Sequence, residues 1–113
     1  IGDEILKQIS KRFINSARKS DTVARWGGDE FIILMPRIES IEDPIKLAKR
    51  VLNSNNNIIK IKTLSINPST SIGISIYPNN GTTFNELISN ADKAMYSSKK
   101  MGKNQYIICT NLD

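Results

Sequence analysis

The chain has 113 residues, of which 39% are hydrophobic and 24% charged, and these proportions are typical of a single small globular domain. Its one cysteine and its lack of histidine exclude an internal disulfide, a histidine-based catalytic triad and a histidine metal site. The net charge of +5 suits an anionic partner, such as a nucleotide, a nucleic acid or a membrane surface, but a lysine-rich solvated surface explains it equally well. The longest apolar run, FIILM, is far shorter than the ~20 residues that span a bilayer, so a cytoplasmic protein is expected.

The first third of the sequence predicts a helix followed by a hairpin. Apolar residues recur at helical spacing between Gly2 and Ser20, with lysine and arginine between them, and this indicates an amphipathic helix. Two strand-like runs, 22–26 and 30–36, then flank Gly27-Gly28, which is a β-hairpin signature. The second run is apolar at consecutive positions, so we expect it to be covered on both faces.

The remaining sequence predicts two further helices and three strands. Ser40 and Asp43 are spaced as in a capping box and open a helix that should end near the asparagine run 53–57. The stretches IIKIKTLSI, STSIGISIY and QYIIC each predict one strand. A second capping box begins at Thr83, and the helix after it should stop near Gly102 with these residues facing inward: Phe84, Leu87, Ile88, Ala91, Met95 and Ser98. The order of elements predicts an α+β domain with a mixed, mostly antiparallel sheet and helices packed on it.

Two glycines and two acids meet at the turn of the predicted hairpin, in the stretch ARWGGDEF. Gly27 and Gly28 carry no Cβ, so the backbone there can approach a ligand closely. Asp29 and Glu30 stand at the mouth of an apolar strand and offer the oxygen ligands that Mg²⁺ takes together with substrate phosphates. A carboxylate in that position can also accept a proton from an attacking hydroxyl. A plain glycine hairpin followed by solvated acids is the alternative explanation of the same four residues.

Two charged clusters, one before this turn and one near the end of the chain, also suit a ligand. Arg18 and Asp21 precede the glycines, and they can serve a ligand because arginine offers a planar fork for a phosphate or a guanine edge, while aspartate accepts from guanine nitrogens. An ion pair at the end of a helix explains the two residues as well. Lys99, Lys100 and Lys103 gather where the last helix ends, and they suit either a triphosphate or the negative end of the helix dipole.

Four motifs in order and spacing together resemble the GGDEF family, the diguanylate cyclase domains of bacterial signalling proteins. Gly2-Asp3-x-x-Leu6 looks like the motif that opens the family's helix. The stretch RKSDTVARWGGDEF has the family's inhibitory RxxD five residues before an unaltered GGDEF. The stretches STSIGIS and ADKAMYSSKKMGKNQY resemble the family's T-x-S-x-G strand and its ADxALYxAKxxGRN signature, with Lys103 in place of the usual arginine.

The resemblance implies one GGDEF domain over residues 1–113, with a ferredoxin-like fold similar to that of nucleotidyl cyclase and polymerase palm domains. It implies that two GTP molecules condense to cyclic di-GMP, with release of pyrophosphate, at the interface of a homodimer of GGDEF domains. Asp29 and Glu30 would be catalytic and would bind Mg²⁺ or Mn²⁺. The resemblance assigns substrate binding to Asp3, Gly27, Gly28, Lys99 and Lys103, and product inhibition by cyclic di-GMP to Arg18 and Asp21.

The resemblance also implies parts that this sequence does not show. The family's first strand, with a second metal-binding aspartate and a guanine-binding asparagine, would precede Gly2, so we expect the chain to be the C-terminal portion of its domain and inactive alone. An upstream sensor domain is expected, and an upstream segment can anchor the parent protein to a membrane, although this domain itself is expected to contact neither nucleic acid nor membrane. The alternative is a GGDEF module without catalysis that senses cyclic di-GMP or GTP.

Overall fold

The computed structural model describes residues 2–27, 30–54, 59–61, 63–66, 70–102 and 104–109. The described elements in chain order are α1 (Gly2–Ser16), β1 (Thr22–Gly27), β2 (Glu30–Leu34), α2 (Glu42–Ser54), β3 (Ile59–Ile61), β4 (Leu64–Ile66), β5 (Ser71–Ile74), α3 (Phe84–Lys100) and β6 (Gln105–Ile108). The pairs β1–β2 and β3–β4 are antiparallel and β5–β6 is parallel. The predicted α+β class with mixed strand directions is therefore confirmed. None of the described helices combines the length and the apolarity that a membrane span requires.

Backbone contacts divide the chain into two compact units, Ile1–Pro68 and Ser69–Asp113. The first unit contains α1, α2 and the two antiparallel pairs, and the second contains β5, α3 and β6. The assignment of residues 1–113 to one domain stays a prediction.

In the first unit, α1 packs against α2, β1 and β3. Phe13 of α1 is buried, and its ring meets the ring of Phe31 in β2 edge-to-face, with centroids 5.0 Å apart and an interplanar angle of 88°. The buried side chains around them come from α2 and β3: Leu47, Ala48, Val51 and Ile59. This core holds the β1–β2 hairpin against α1.

The helix α1 ends at Ser16, four residues before the predicted end at Ser20. The hydroxyl of Ser16 donates to the carbonyl of Arg12 at 2.9 Å, and Nε of Arg50 in α2 donates to the carbonyl of Ser16, also at 2.9 Å. A side chain from another helix thus satisfies one of the carbonyls left free at the helix end.

The apolar strand β2 differs from its prediction in burial. Phe31, Ile32 and Ile33 are half-buried, while Glu30 and Leu34 at its two ends are exposed. The expectation that the run is covered on both faces is wrong for the part of the chain that the structure describes, because there Phe31, Ile32 and Ile33 are only half-buried and Leu34 is 45% exposed.

The stretch IIKIKTLSI was expected to form one strand, but it forms the short antiparallel hairpin β3–β4. Ile59 pairs with Ile66 and Ile61 with Leu64. The sequence itself contains the reason, since the apolar positions are odd-numbered in β3 and even-numbered in β4. In one continuous strand these positions would alternate onto opposite faces, whereas a turn between the two halves brings them to paired positions on one face.

The start of α2 also differs in detail from the predicted capping box. The hydroxyl of Ser40 accepts from the amide of Glu42 at 3.2 Å, and the carboxylate of Asp43 accepts from the amide of Glu39 at 2.8 Å. Both bonds are displaced by one residue from a capping box that begins at Ser40. Two amides near the helix start are nevertheless satisfied by the two side chains that the sequence indicated.

In the second unit, α3 connects the parallel strands β5 and β6 and packs on both. The approach is close at Gly73, where a Cβ would overlap the carbonyl oxygen of Ala91 and the amide nitrogen of Met95. Ser98 is fully buried, and its hydroxyl donates to the carbonyl of Gln105 at 2.8 Å, which ties the end of α3 to the start of β6. The unit is thus a β–α–β arrangement in which small residues allow the helix to lie directly on a strand.

The second capping box is confirmed. The amide of Glu86 donates to the Thr83 hydroxyl at 3.1 Å, and the amide of Thr83 donates to the Glu86 carboxylate at 3.2 Å. The helix ends at Lys100, close to Gly102, as predicted. The inward orientation of Phe84 is wrong, because this first helical residue precedes the part of α3 that lies on Gly73 and is 46% exposed.

Candidate functional site

The predicted glycine hairpin is present at the centre of the candidate site. In the register of β1 with β2, Arg25 lies opposite Phe31 and Gly27 lies opposite Glu30, with an irregularity between Arg25 and Gly27. The two residues that connect Gly27 to Glu30 in the sequence, Gly28 and Asp29, lie outside the described residues. The predicted hairpin is therefore present, but Gly27, which was predicted to lie in the turn, is the last residue of β1.

Glu30 stands where an acid can serve a ligand. It is exposed at the first position of β2, and the next residue, Phe31, packs edge-to-face on Phe13 of α1. The ring contact holds the strand immediately behind the carboxylate, so the acid is exposed on a strand that is packed on a helix. A carboxylate oxygen is a ligand that Mg²⁺ accepts, and Asp29 beside it in the sequence offers a second. The chemistry of these donors fits a hard divalent cation, although the described residues alone contain no cluster of three or more potential metal ligands.

The other predicted substrate-binding residues come from both units. Asp3 belongs to the first turn of α1, in the first unit, and its side chain lies outside the described part. Lys99 is exposed in the last turn of α3, in the second unit, while Lys103 lies outside the described residues. The neighbouring Lys100 has its Nζ 4.8 Å from the centre of the Tyr96 ring, a cation–π contact on the surface of α3.

The Arg18–Asp21 pair closes the turn after α1. The backbone amide of Arg18 donates to Oδ2 of Asp21 at 2.8 Å, and the guanidinium Nε is 3.8 Å from the same oxygen. The guanidinium also donates from Nη2 to the carbonyl of Arg37 at 2.8 Å, which links this turn to the loop after β2. The ion pair at the helix end, which was one of the two explanations of these residues, is therefore present. Arg18 has a further partner, the Arg37 carbonyl, that the sequence did not indicate.

A cleft of about 280 Å³ opens at this pair, lined by Ile14, Ala17, Arg18, Lys19, Asp21 and Val23. The side chain of Asp21 is fully buried and its Oδ1 has no hydrogen-bond partner among the residues that the structure describes, while the Arg18 side chain is 42% exposed. A buried acceptor without a donor is unusual and costly in a folded protein. The cleft thus combines an unpaired acceptor, an exposed guanidinium and an apolar wall, which is a suitable combination for a planar, polar ring that carries N–H groups.

A second cleft, of about 350 Å³, was not foreseen from the sequence. It lies between α1 and the hairpin and is lined by Leu6, Lys7, Ser10, Arg25 and Phe31. Arg25, a basic residue in the strand that leads into the glycine turn, was the available signal in the sequence.

Comparison with known proteins agrees with the four sequence motifs. The family model described as diguanylate cyclase, GGDEF domain, matches residues 1–105. The chain is 39% identical over 106 residues to the bifunctional diguanylate cyclase/cyclic di-GMP phosphodiesterase MucR of Pseudomonas aeruginosa, a match that covers 94% of this chain and 15% of MucR. It is 37% identical over 103 residues to the cyclic di-GMP phosphodiesterase NbdA of the same species, which covers 91% of this chain and 13% of NbdA. The chain therefore spans only a small part of each of these curated relatives.

The fold has a close counterpart among solved structures. The GGDEF domain of TpbB from Pseudomonas aeruginosa superimposes with a TM-score of 0.93 at 32% sequence identity, and the match covers 98% of this chain and 69% of that one. Structural neighbours of this kind have the palm-like fold that the sequence resemblance implied.

Proposed function

Because the chain belongs to the GGDEF family of diguanylate cyclase domains, we propose that the protein that carries it condenses two GTP molecules into cyclic di-GMP and releases two pyrophosphates. The observation that carries this proposal is the hairpin register, in which Gly27 lies opposite Glu30 across a turn whose sequence is an unaltered GGDE. A cyclase needs an acid beside a backbone that a nucleotide can approach, and this turn combines the two.

In the proposed site, the residues divide nucleotide binding, metal binding and proton transfer between them. Gly27 and Gly28 allow the nucleotide to lie against the backbone, and Asp3 contacts the guanine. Asp29 and Glu30 would hold Mg²⁺ or Mn²⁺, and Asp29 accepts the proton of the attacking ribose 3′-hydroxyl. When bound, the cation supplies neutralisation of the phosphate charge that develops in phosphoryl transfer. Lys99 and Lys103 contact the phosphate chain of the nucleotide.

The reaction joins two nucleotides, so the proposal requires a second GGDEF domain that presents its own GTP. Each domain supplies one half of the reaction, in which the 3′-hydroxyl of one GTP attacks the α-phosphate of the other. We therefore propose a homodimer as the active state.

The Arg18–Asp21 cleft supports product inhibition as part of this function. Its unpaired Oδ1 can accept from the N–H groups of a guanine edge, and the Arg18 guanidinium can donate to a guanine acceptor or to a phosphate. Cyclic di-GMP carries both guanine edges and phosphates, so the product of the reaction fits the chemistry of the cleft.

The test of the proposed reaction is Asp29→Ala in the intact protein, with conversion of GTP to cyclic di-GMP measured in the presence of Mg²⁺. We expect a loss of at least about a hundredfold in turnover, since both the proton acceptor and an oxygen ligand are removed. Glu39→Ala, which removes an exposed acid from the loop after β2, is the matched control and should leave turnover unchanged. Turnover retained by Asp29→Ala contradicts the proposed role.

A second candidate function is a GGDEF module that binds cyclic di-GMP without making it. Two observations favour it: the relative NbdA is named a phosphodiesterase, and the Arg18–Asp21 cleft has its unpaired acceptor independently of the GGDE turn. An intact protein that binds cyclic di-GMP, loses this binding in Arg18→Ala and forms no product from GTP would establish this alternative.

A further inference from the structure

Two reciprocal hydrogen bonds join the end of α3 to the start of β6. The hydroxyl of Ser98 donates to the carbonyl of Gln105 at 2.8 Å, and Nε2 of Gln105 donates to the carbonyl of Ser98 at 3.4 Å. The Ser98 carbonyl belongs to the last turn of α3, where carbonyls lack a partner further along the helix. Each side chain thus satisfies a backbone carbonyl of the other residue, and we call this pair of bonds the Ser98–Gln105 clamp.

The bond from Ser98 differs from the one that its neighbour makes. Ser97 is exposed, and its hydroxyl donates at 3.2 Å to the Lys93 carbonyl, four residues back, which is a usual arrangement for serine in a helix. Ser98 is fully buried and donates to the first residue of β6 instead. Because a buried hydroxyl without a partner is costly, this bond favours one position of the β6 start relative to the helix end.

The clamp encloses a segment with a specific backbone conformation. Gly102 has φ +120° and Asn104 has φ +50°, so both lie in the half of backbone space that L-residues rarely adopt. Glycine enters this region freely, whereas asparagine does so at some cost. A backbone of this kind persists where the surrounding contacts hold it, and the clamp supplies such contacts at both ends of the segment.

The clamp residues are close in sequence to the two lysines of the proposed site. Lys99 directly follows Ser98, and Lys103 stands two residues before Gln105. A lysine side chain loses much rotamer freedom when it binds, so a backbone that is already fixed beneath it leaves less to be ordered at that moment.

We propose that Ser98 and Gln105 are positioning residues, which hold the segment between α3 and β6 in the conformation in which Lys99 and Lys103 bind the phosphates of GTP. This inference rests on the proposed function, which assigns those phosphate contacts to the two lysines. The other explanation of the clamp is that it contributes to the stability of the second unit and to nothing else.

Binding of GTP to the intact protein, at a temperature at which every variant is folded, tests the inference. Ser98→Ala removes the shorter bond and should weaken GTP binding about fivefold, because its loss lowers the fraction of molecules in the binding-competent conformation. Gln105→Met removes the longer bond with a side chain of similar length and should weaken GTP binding about threefold. Ser97→Ala is the matched control, since its hydroxyl bonds within α3, and should change GTP affinity less than twofold.

A double-mutant cycle separates positioning from stability. Replacement of both Lys99 and Lys103 by alanine should itself weaken GTP binding, and Ser98→Ala added to that variant should cause no further loss. A positioning residue acts only through the groups that it positions, so its effect disappears with them. A purely structural Ser98 would instead change GTP affinity by the same factor whether or not the lysines are present.

Two results would overturn the inference: a GTP affinity of Ser98→Ala equal to that of Ser97→Ala, or an effect of Ser98→Ala that persists in full without the lysines. If Ser98→Ala does not fold, Gln105→Met decides the question by the same cycle. An unaltered protein that binds no GTP, or a double lysine variant that binds GTP as tightly as the unaltered protein, would contradict the proposed function instead, so the two failures are distinguishable.

Discussion

Replacement of Gly73 by alanine should strongly destabilise the β–α–β unit. A Cβ at this position in β5 would overlap the carbonyl oxygen of Ala91 and the amide nitrogen of Met95, which are backbone atoms of α3 four residues apart. These two groups are hydrogen-bonding partners in a regular helix, so neither can move without loss of that bond. Overpacking alone costs about 1–3 kcal/mol, and a broken or displaced helical hydrogen bond adds about 1 kcal/mol.

We therefore expect Gly73→Ala to lower the free energy of unfolding by about 3 kcal/mol, which corresponds to a fall of roughly 10 °C in Tm. Urea unfolding followed by far-ultraviolet circular dichroism measures the first quantity, and a thermal scan measures the second. A displacement of α3 would also move Lys99, which lies in its last turn and is proposed to contact the phosphate chain.

Gly102→Ala is the informative control for this variant. Gly102 has φ +120°, and among the described residues a Cβ there would meet only Nε2 of Gln105 at 3.9 Å, so the cost comes from the backbone conformation and should be about 1 kcal/mol. A loss below 1 kcal/mol for Gly73→Ala, or a loss no greater than that of Gly102→Ala, would refute the argument from close helix–strand approach.

Two further outcomes are expected. Arg18→Ala in the intact protein should retain cyclase turnover but weaken inhibition by cyclic di-GMP about tenfold or more, measured as the shift in half-inhibitory concentration. Unchanged inhibition would mean that Arg18 serves only the ion pair with Asp21 and the hydrogen bond to the Arg37 carbonyl. Hydrogen bonds from the Thr82 backbone and side chain and from Thr83 lower the pKa of Glu86 below its ordinary value of 4.5. The stability that Glu86 contributes is therefore present above pH 4.5 and is lost as the pH falls through the lowered pKa of the folded state. The difference in unfolding free energy between the unaltered protein and Glu86→Gln should consequently close on acidification. A difference that is constant from pH 6 to pH 3 would contradict this.

The sequence predicted the local features of the fold well. The Thr83 capping box, the end of α3 near Gly102 and the glycine hairpin each depend on a few neighbouring residues whose hydrogen-bonding chemistry is fixed by type. The β3–β4 hairpin was also present in the sequence, as a change of phase in the apolar alternation, but the apolar content of the whole stretch concealed it. Phe84 was misplaced because helical periodicity gives a face and does not say where along that face the strand lies.

The candidate site was predictable to a similar extent. Arg18 and Asp21 are three positions apart, so their pairing could be expected from a turn at the helix end. The bond from Arg18 to the Arg37 carbonyl joins residues nineteen apart, and the position of that loop depends on the packing of the hairpin on α1. The same holds for the cleft between Lys7 and Arg25, which exists because the Phe13–Phe31 contact fixes the face of the hairpin that turns toward the helix.

The buried Oδ1 of Asp21 has a thermodynamic consequence for the unliganded protein. A buried acceptor without a donor raises the free energy of the folded state by about 1–3 kcal/mol. A ligand whose N–H reaches this atom removes that cost in addition to the contacts that it makes, so the protein is prepared for the ligand at the expense of its own stability. Saturation of the cleft should consequently raise the melting temperature by more in the unaltered protein than in Asp21→Asn, whose amide can donate as well as accept.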